Sequence, residues 1–236
     1  MILRRMAEGI KNQDWFVVLI EIFVVVIGIY LGLQVDDWQK ERQDRAEEMR
    51  VLQQLGIEVE AAIEAKNTVL TASRKSEGFL IEAIEIIQGD REGDDLSFEQ
   101  CRALWRSHII NPNFNGLLTY EELALSGNLG LLSNPALRSA LIAFQNQVNN
   151  DTAVGEIAIG DAINVVDTYG DILPRQWFPE TQTSVVDCQI TLLRQNQTIL
   201  NNLQSNSGRS WAMSYRMERE INTLTGILEL IKGDNQ

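Results

Sequence analysis

The 236-residue chain has one histidine, two cysteines and four prolines, and its 20 basic residues fall well short of its 33 acidic ones. Each shortage excludes something. One histidine, His108, and the well-separated Cys101 and Cys188 supply too few ligands for a zinc site. No nucleophile elbow or other local signature accompanies His108, so a structural histidine is the simpler reading than a Ser-His-Asp or Cys-His relay. A formal charge of −13 argues against a basic surface for phosphates and hence against a nucleic-acid partner. Gly127, Gly130, Gly155 and Gly160 make no phosphate-binding loop. The acidic run Asp90-Arg91-Glu92-Gly93-Asp94-Asp95 fails the EF-hand pattern: glycine and glutamate belong where Asp95 and Cys101 stand. That leaves a solvated loop, with an irregular calcium site as its alternative. No cofactor, metal or catalytic set is expected, and no acid–base carboxylate pair can be chosen without a fold.

What is present is 44% hydrophobic and 22% charged, the balance of a folded chain. The charge is unevenly placed. Residues 1–35 carry Arg4, Arg5 and Lys11 against Glu8, Asp14 and Glu21, so the entire −13 belongs to 36–236.

Trp15 to Val35 reads WFVVLIEIFVVVIGIYLGLQV, with one ionisable side chain. As a helix it would measure roughly 31 Å, close to the hydrocarbon thickness of a bilayer. Trp15 and Trp38 fall where interfacial aromatics belong. The run exceeds the apolar core of a cleaved signal peptide, and no small-x-small site follows it, so it reads as a retained signal anchor. Arg4, Arg5, Lys11 and the free amine favour a cytoplasmic tail, 1–14. Lys40, Arg42, Arg45 and Arg50 beyond the helix reduce that asymmetry. The cysteines break the tie. Cys101 and Cys188 are an even pair in the acidic part, which suits an oxidising compartment. Joined, they would contribute about 4–5 kcal/mol in the chain-entropy model; two separate core thiols are the alternative. The expected topology is N-terminus in, bulk of the chain out.

Within the apolar run, Glu21, Val25, Gly28 and Gly32 share one face, since positions 21 and 28 differ by about 20° and 28 and 32 by about 40°. Two glycines at that spacing let backbones approach closely in lipid. An ionised Glu21 at that depth is costly, so it should be neutral, snorkelling, hydrated or bonded to a partner helix. Proton conduction would need further helices that this chain does not supply.

Residues 36–75 have no proline, and Met49, Leu52, Leu55, Val59, Ala62, Ile63 and Leu70 recur at three- and four-residue steps. They predict a charged stalk that becomes an amphipathic helix. The stretch EIFVVVIGIYLGLQVDDWQKER resembles the N-terminal signature of a family of bacterial single-pass membrane proteins, a domain of unknown function. Tyr120-Glu121-Glu122-Leu123, Ser126-Gly127-Asn128-Leu129, Asn134 and Leu137-Arg138 resemble that family's central motif. Asp36-Asp37 departs slightly from members that carry Asn there. The resemblance implies a location in the bacterial inner membrane, and brings with it no reaction or catalytic residue.

Further along, Phe79–Gln88 is apolar, Ser97 can cap a helix holding Cys101 and Leu104, and Asn111-Pro112-Asn113 interrupts the chain. Thr119 reads as the cap of 120–125, and Asn134-Pro135 as the start of a longer helix. The stretch 170–187 reads as irregular, and two last helices, 188–203 and 211–231, are divided by Ser205-Asn206-Ser207-Gly208. Trp105, Tyr120, Trp177, Trp211 and Tyr215 could line a pocket, but at helical spacing they read as core.

The expected architecture is all-α: tail 1–14, transmembrane helix 15–35, and an acidic extracytoplasmic bundle 36–236 stapled by Cys101–Cys188. The expected function is a membrane-anchored interaction or scaffold protein that associates with itself or joins a larger membrane complex. A ligand-binding, sensor-like domain acting through a partner is the alternative; an enzyme or a Glu21-dependent ion-conducting subunit ranks below both.

Overall fold

A computed structural model describes residues 15–93, 95–180 and 183–234. The chain divides into two compact units, Met1–Val51 and Leu52–Gln236. The described part of the first unit is helical throughout and belongs to α1 (Trp15–Gln88). The second contains the rest of α1, then α2 (Phe98–Trp105), α3 (Leu118–Leu125), a 3-10 turn (Asn128–Leu131), α4 (Pro135–Gly160) and α5 (Val165–Thr168). A hairpin of β1 (Arg175–Phe178) and β2 (Thr183–Val186) follows, then α6 (Ile190–Arg194) and α7 (Gln197–Asp234). The fold is all-α, as expected.

Three long helices build the second unit. Along α4 the buried residues are Leu137, Leu141, Phe144, Val148, Asp151, Gly155 and Ala158, alternating steps of four and three. That spacing keeps one stripe facing a neighbour. The neighbour is α7, whose Met213, Met217, Leu224, Ile227 and Ile231 are buried at similar steps. Thr223 donates to Gln147 at 3.1 Å and Arg216 meets Asp151, so α4 and α7 run antiparallel. Lys232–Glu60 at 3.2 Å and Arg74–Glu218 at 2.6 Å set the same antiparallel order between α7 and α1. At Gly155, an added Cβ would lie 3.3 Å from the Phe114 ring, so the missing side chain permits that close packing. A second apolar cluster joins Leu80, Ile84 and Ile87 of α1 to Leu104, Val166, Leu193 and Leu203.

Local chemistry fixes several ends. Ser97 and Gln100 form a capping box at α2. Asn134 accepts from the Ala136 and Leu137 amides with Pro135 at the first turn of α4. Gly89, at φ 87°, ends α1 in the left-handed conformation, and the Gly89 and Asp90 amides both return to the Glu85 carbonyl. Arg194 completes that terminus by donating to the Ile86 and Gly93 carbonyls. The Cys101–Cys188 disulfide is formed, with Cα atoms 5.9 Å apart.

Five sequence expectations need correction. The first long helix does not stop at Lys75: it continues to Gln88, because Leu80, Ala83, Ile84 and Ile87 extend its buried stripe. Residues 170–187 are not wholly irregular; β1 and β2 pair antiparallel with Arg175 opposite Val186 and Phe178 opposite Thr183. The expected helix 188–203 breaks after α6, where Asn196 caps α7 by accepting from the Ile199 amide at 3.1 Å. Ser205-Asn206-Ser207-Gly208 does not break the last helix. Asn206 is fully buried, accepts from the Ile163 amide at 3.0 Å and donates to the Ile163 carbonyl at 2.8 Å and Ser107 Oγ at 3.1 Å. Finally, Thr119 is a buried residue inside α3, not its cap. Leu117 stands at the cap, and the Glu58 carboxylate of α1 accepts from the Leu118 and Thr119 amides.

Candidate membrane anchor and buried polar sites

The apolar run lies on α1. Ile20, residues 22–27, Ile29, Tyr30, Leu31, Leu33 and Val35 are all exposed, among them Phe23 at 65% and Leu31 at 57%. Burying one such side chain stabilises by about 1.5–3 kcal/mol, so a run of this size open to water is strongly unfavourable. By length and composition the helix can cross a membrane, and among the described residues nothing covers its apolar stretch. Val25 is 59% exposed, and among the described residues nothing lies within 4 Å of where a Cβ would stand at Gly28 or Gly32. The expected Val25/Gly28/Gly32 face is therefore open. The side chains of Glu21 and Trp15, and all of the tail 1–14, lie outside the described residues.

Just beyond the run, Gln34 donates to the Tyr30 hydroxyl at 3.1 Å. Trp38 is exposed, with the Arg42 guanidinium 4.6 Å from its ring centroid. Arg45–Glu41 and Arg50–Glu47 pairs continue the polar surface. An apolar girth bordered by an aromatic ring and paired charges is the chemistry of a bilayer boundary.

In the second unit, polar groups occupy the apolar stripes themselves. Lys66 is 1% exposed and takes the step between Ile63 and Leu70. Its Nζ donates to Glu220 Oε2 at 2.7 Å and to the Asn113 carbonyl at 2.6 Å. Asp151, fully buried in the α4 stripe, accepts from Arg216 at 2.5 Å. Burial pushes the Glu220 carboxyl above its ordinary range; Lys66 opposes that shift, and the nearby Asp151 carboxylate adds to it. Among the described residues, Glu220 Oε1 and Asp151 Oδ2 have no hydrogen-bond partner. The cluster ties α1, α4, α7 and the Asn113 segment together, with Lys66, Asp151 and Glu220 buried.

Glu77 is a further buried carboxyl. Burial raises its pKa, with Arg74 opposing, and its Oε1 has no hydrogen-bond partner. Sequence reasoning passed over Lys66, Glu77, Asp151 and Glu220, and read Asn206 as part of a break between helices. All five fall in register with apolar stripes, and that register was the available signal.

His108 is half-buried, its pKa lowered chiefly by burial, and no nucleophile is joined to it by a hydrogen bond among the described residues. Among the described residues no cluster of three or more His, Cys, Asp or Glu could hold a metal. Of the aromatics read as core, Trp177, Trp211 and Tyr215 are instead exposed; Trp211 and Tyr215 stack with centroids 5.7 Å apart. No family model, curated protein or solved structure matches the chain.

Proposed function

We propose that the chain is a membrane-anchored helical interaction protein, held by residues 15–35 and associating with itself or with a larger membrane complex. The single observation carrying this reading is the bare apolar run from Ile22 to Val35, which needs lipid or another helix around it. Its small-residue face at Gly28 and Gly32, with Val25 and Glu21 in the same stripe, is the surface we assign to helix association. The tail 1–14 lies in the cytoplasm and the acidic residues 36–236 outside it, in the periplasm of a bacterium. The Cys101–Cys188 disulfide supports an oxidising compartment for that part. Membership of the bacterial single-pass family signalled by the Gln34-Val35-Asp36-Asp37-Trp38 run is part of the same proposal.

The test is cross-linking in native membranes, comparing wild type with Gly28→Leu and Gly32→Leu. Adducts seen in wild type should fall severalfold in either variant. Unchanged adducts would remove the proposed interface. A second reading, a ligand-binding domain acting through a partner, draws on one polar cavity in the second unit.

A further inference from the structure

Between α1, the α2 end and α7 lies a cavity of about 60 Å3. Its wall carries five serine hydroxyls, from Ser73, Ser76, Ser107, Ser210 and Ser214, beside the Glu77 carboxyl. Glu77 is 7% exposed and Ser214 3%, so both are more than nine-tenths buried. Among the described residues, Glu77 Oε1 and Ser214 Oγ are both without a hydrogen-bond partner. Two orphaned polar atoms lining one small cavity are costly unless something fills it and bonds to them.

The chemistry of the wall limits the occupant. An apolar guest would leave both atoms orphaned. An anion would meet the buried carboxylate. A neutral hydroxyl can donate to Glu77 but adds no positive charge to that of Arg74, which already opposes the effect of burial. A primary ammonium brings three N–H donors and the opposing charge in a volume suited to a few heavy atoms. Arg106 also lines the cavity; it is exposed, with its guanidinium 5.5 Å from the Trp105 ring centroid, and leaves room for a ligand that carries a carboxylate away from its ammonium.

We infer that this cavity binds the primary ammonium group of a small hydrophilic solute, with Glu77 Oε1 and Ser214 Oγ accepting its N–H donors. The neighbouring serines complete the polar shell, and Leu80, Met213 and Met217 bound it on the apolar side. The inference is independent of the anchor, because every lining residue belongs to the second unit.

The test uses the full chain in detergent, following the thermal unfolding midpoint against ethylammonium chloride, with sodium chloride at equal ionic strength as reference. Glycine tests a zwitterion, glycerol a neutral hydroxyl compound and sodium acetate an anion. A saturable rise with ethylammonium or glycine, absent with glycerol and acetate, is expected. Glu77→Gln, nearly isosteric, should raise the half-saturating concentration by about tenfold or more, the size of a lost charge-assisted hydrogen bond. Ser214→Ala should weaken binding less and serves as the second variant if Glu77→Gln loses its helical circular dichroism. No saturable shift beyond sodium chloride, an equal shift with glycerol or acetate, or binding unchanged in the folded variants would overturn the inference and leave water as the occupant.

Discussion

Lys66 shows how much one side chain can decide. A lysine on a helix ordinarily keeps its ammonium in water, yet this one spends its charge on Glu220 and a backbone carbonyl inside the bundle. Replacing one member of a buried ion pair strands the other. Lys66→Met should cost about 3–5 kcal/mol in denaturant unfolding, and Lys66→Met with Glu220→Leu should recover much of that loss. A double variant as unstable as the single one would show that the pair does more than neutralise itself. Glu77 gives a pH-dependent counterpart. Burial raises its pKa above the unfolded value, so the folded state holds its proton more tightly. Its contribution is fully present below the unfolded pKa and is lost as pH rises through the folded one. Stability of wild type relative to Glu77→Gln should therefore fall from pH 4 to pH 7 in paired urea titrations; a constant difference would contradict the shift.

At the scale of elements, legibility followed the range of the interaction. Ser97 and Asn134-Pro135 act within a turn of their helix, and the sequence displays them openly. The apolar run 15–35 is equally plain, because it depends on no distant partner. The failures were long-range. Asn206 looks like a loop residue until Ile163 and Ser107 are brought against it. Thr119 looks like a cap because the true acceptor, Glu58, lies far back on α1. Four-residue strands carry too few alternations to announce a hairpin, and β1 and β2 are held where Asp187 donates to the Pro174 carbonyl and Cys188 bonds to Cys101. Glu58→Ala should uncover the first amides of α3 and cost about 1 kcal/mol, measured by denaturant midpoint. An unchanged midpoint would mean that water replaces the carboxylate without loss. The candidate sites divide in the same way: Val25, Gly28 and Gly32 were readable from spacing alone, whereas the serine-lined cavity draws its wall from three separated segments.

At the scale of the whole molecule, two physical demands meet in one chain. The first unit presents apolar side chains that water does not tolerate, and the second presents the acidic surface and disulfide of a domain suited to an oxidising aqueous space. The proposed topology, with the apolar run in a membrane and the acidic residues on the oxidising side, satisfies both. The most direct measurement is protease accessibility of the full chain in intact spheroplasts, read with antibodies to each end. Added protease should remove the C-terminal epitope without lysis while a short N-terminal fragment stays with the membrane. A C-terminal epitope protected until the membrane is broken, or full-length protein recovered without membrane, would contradict the anchor and its orientation.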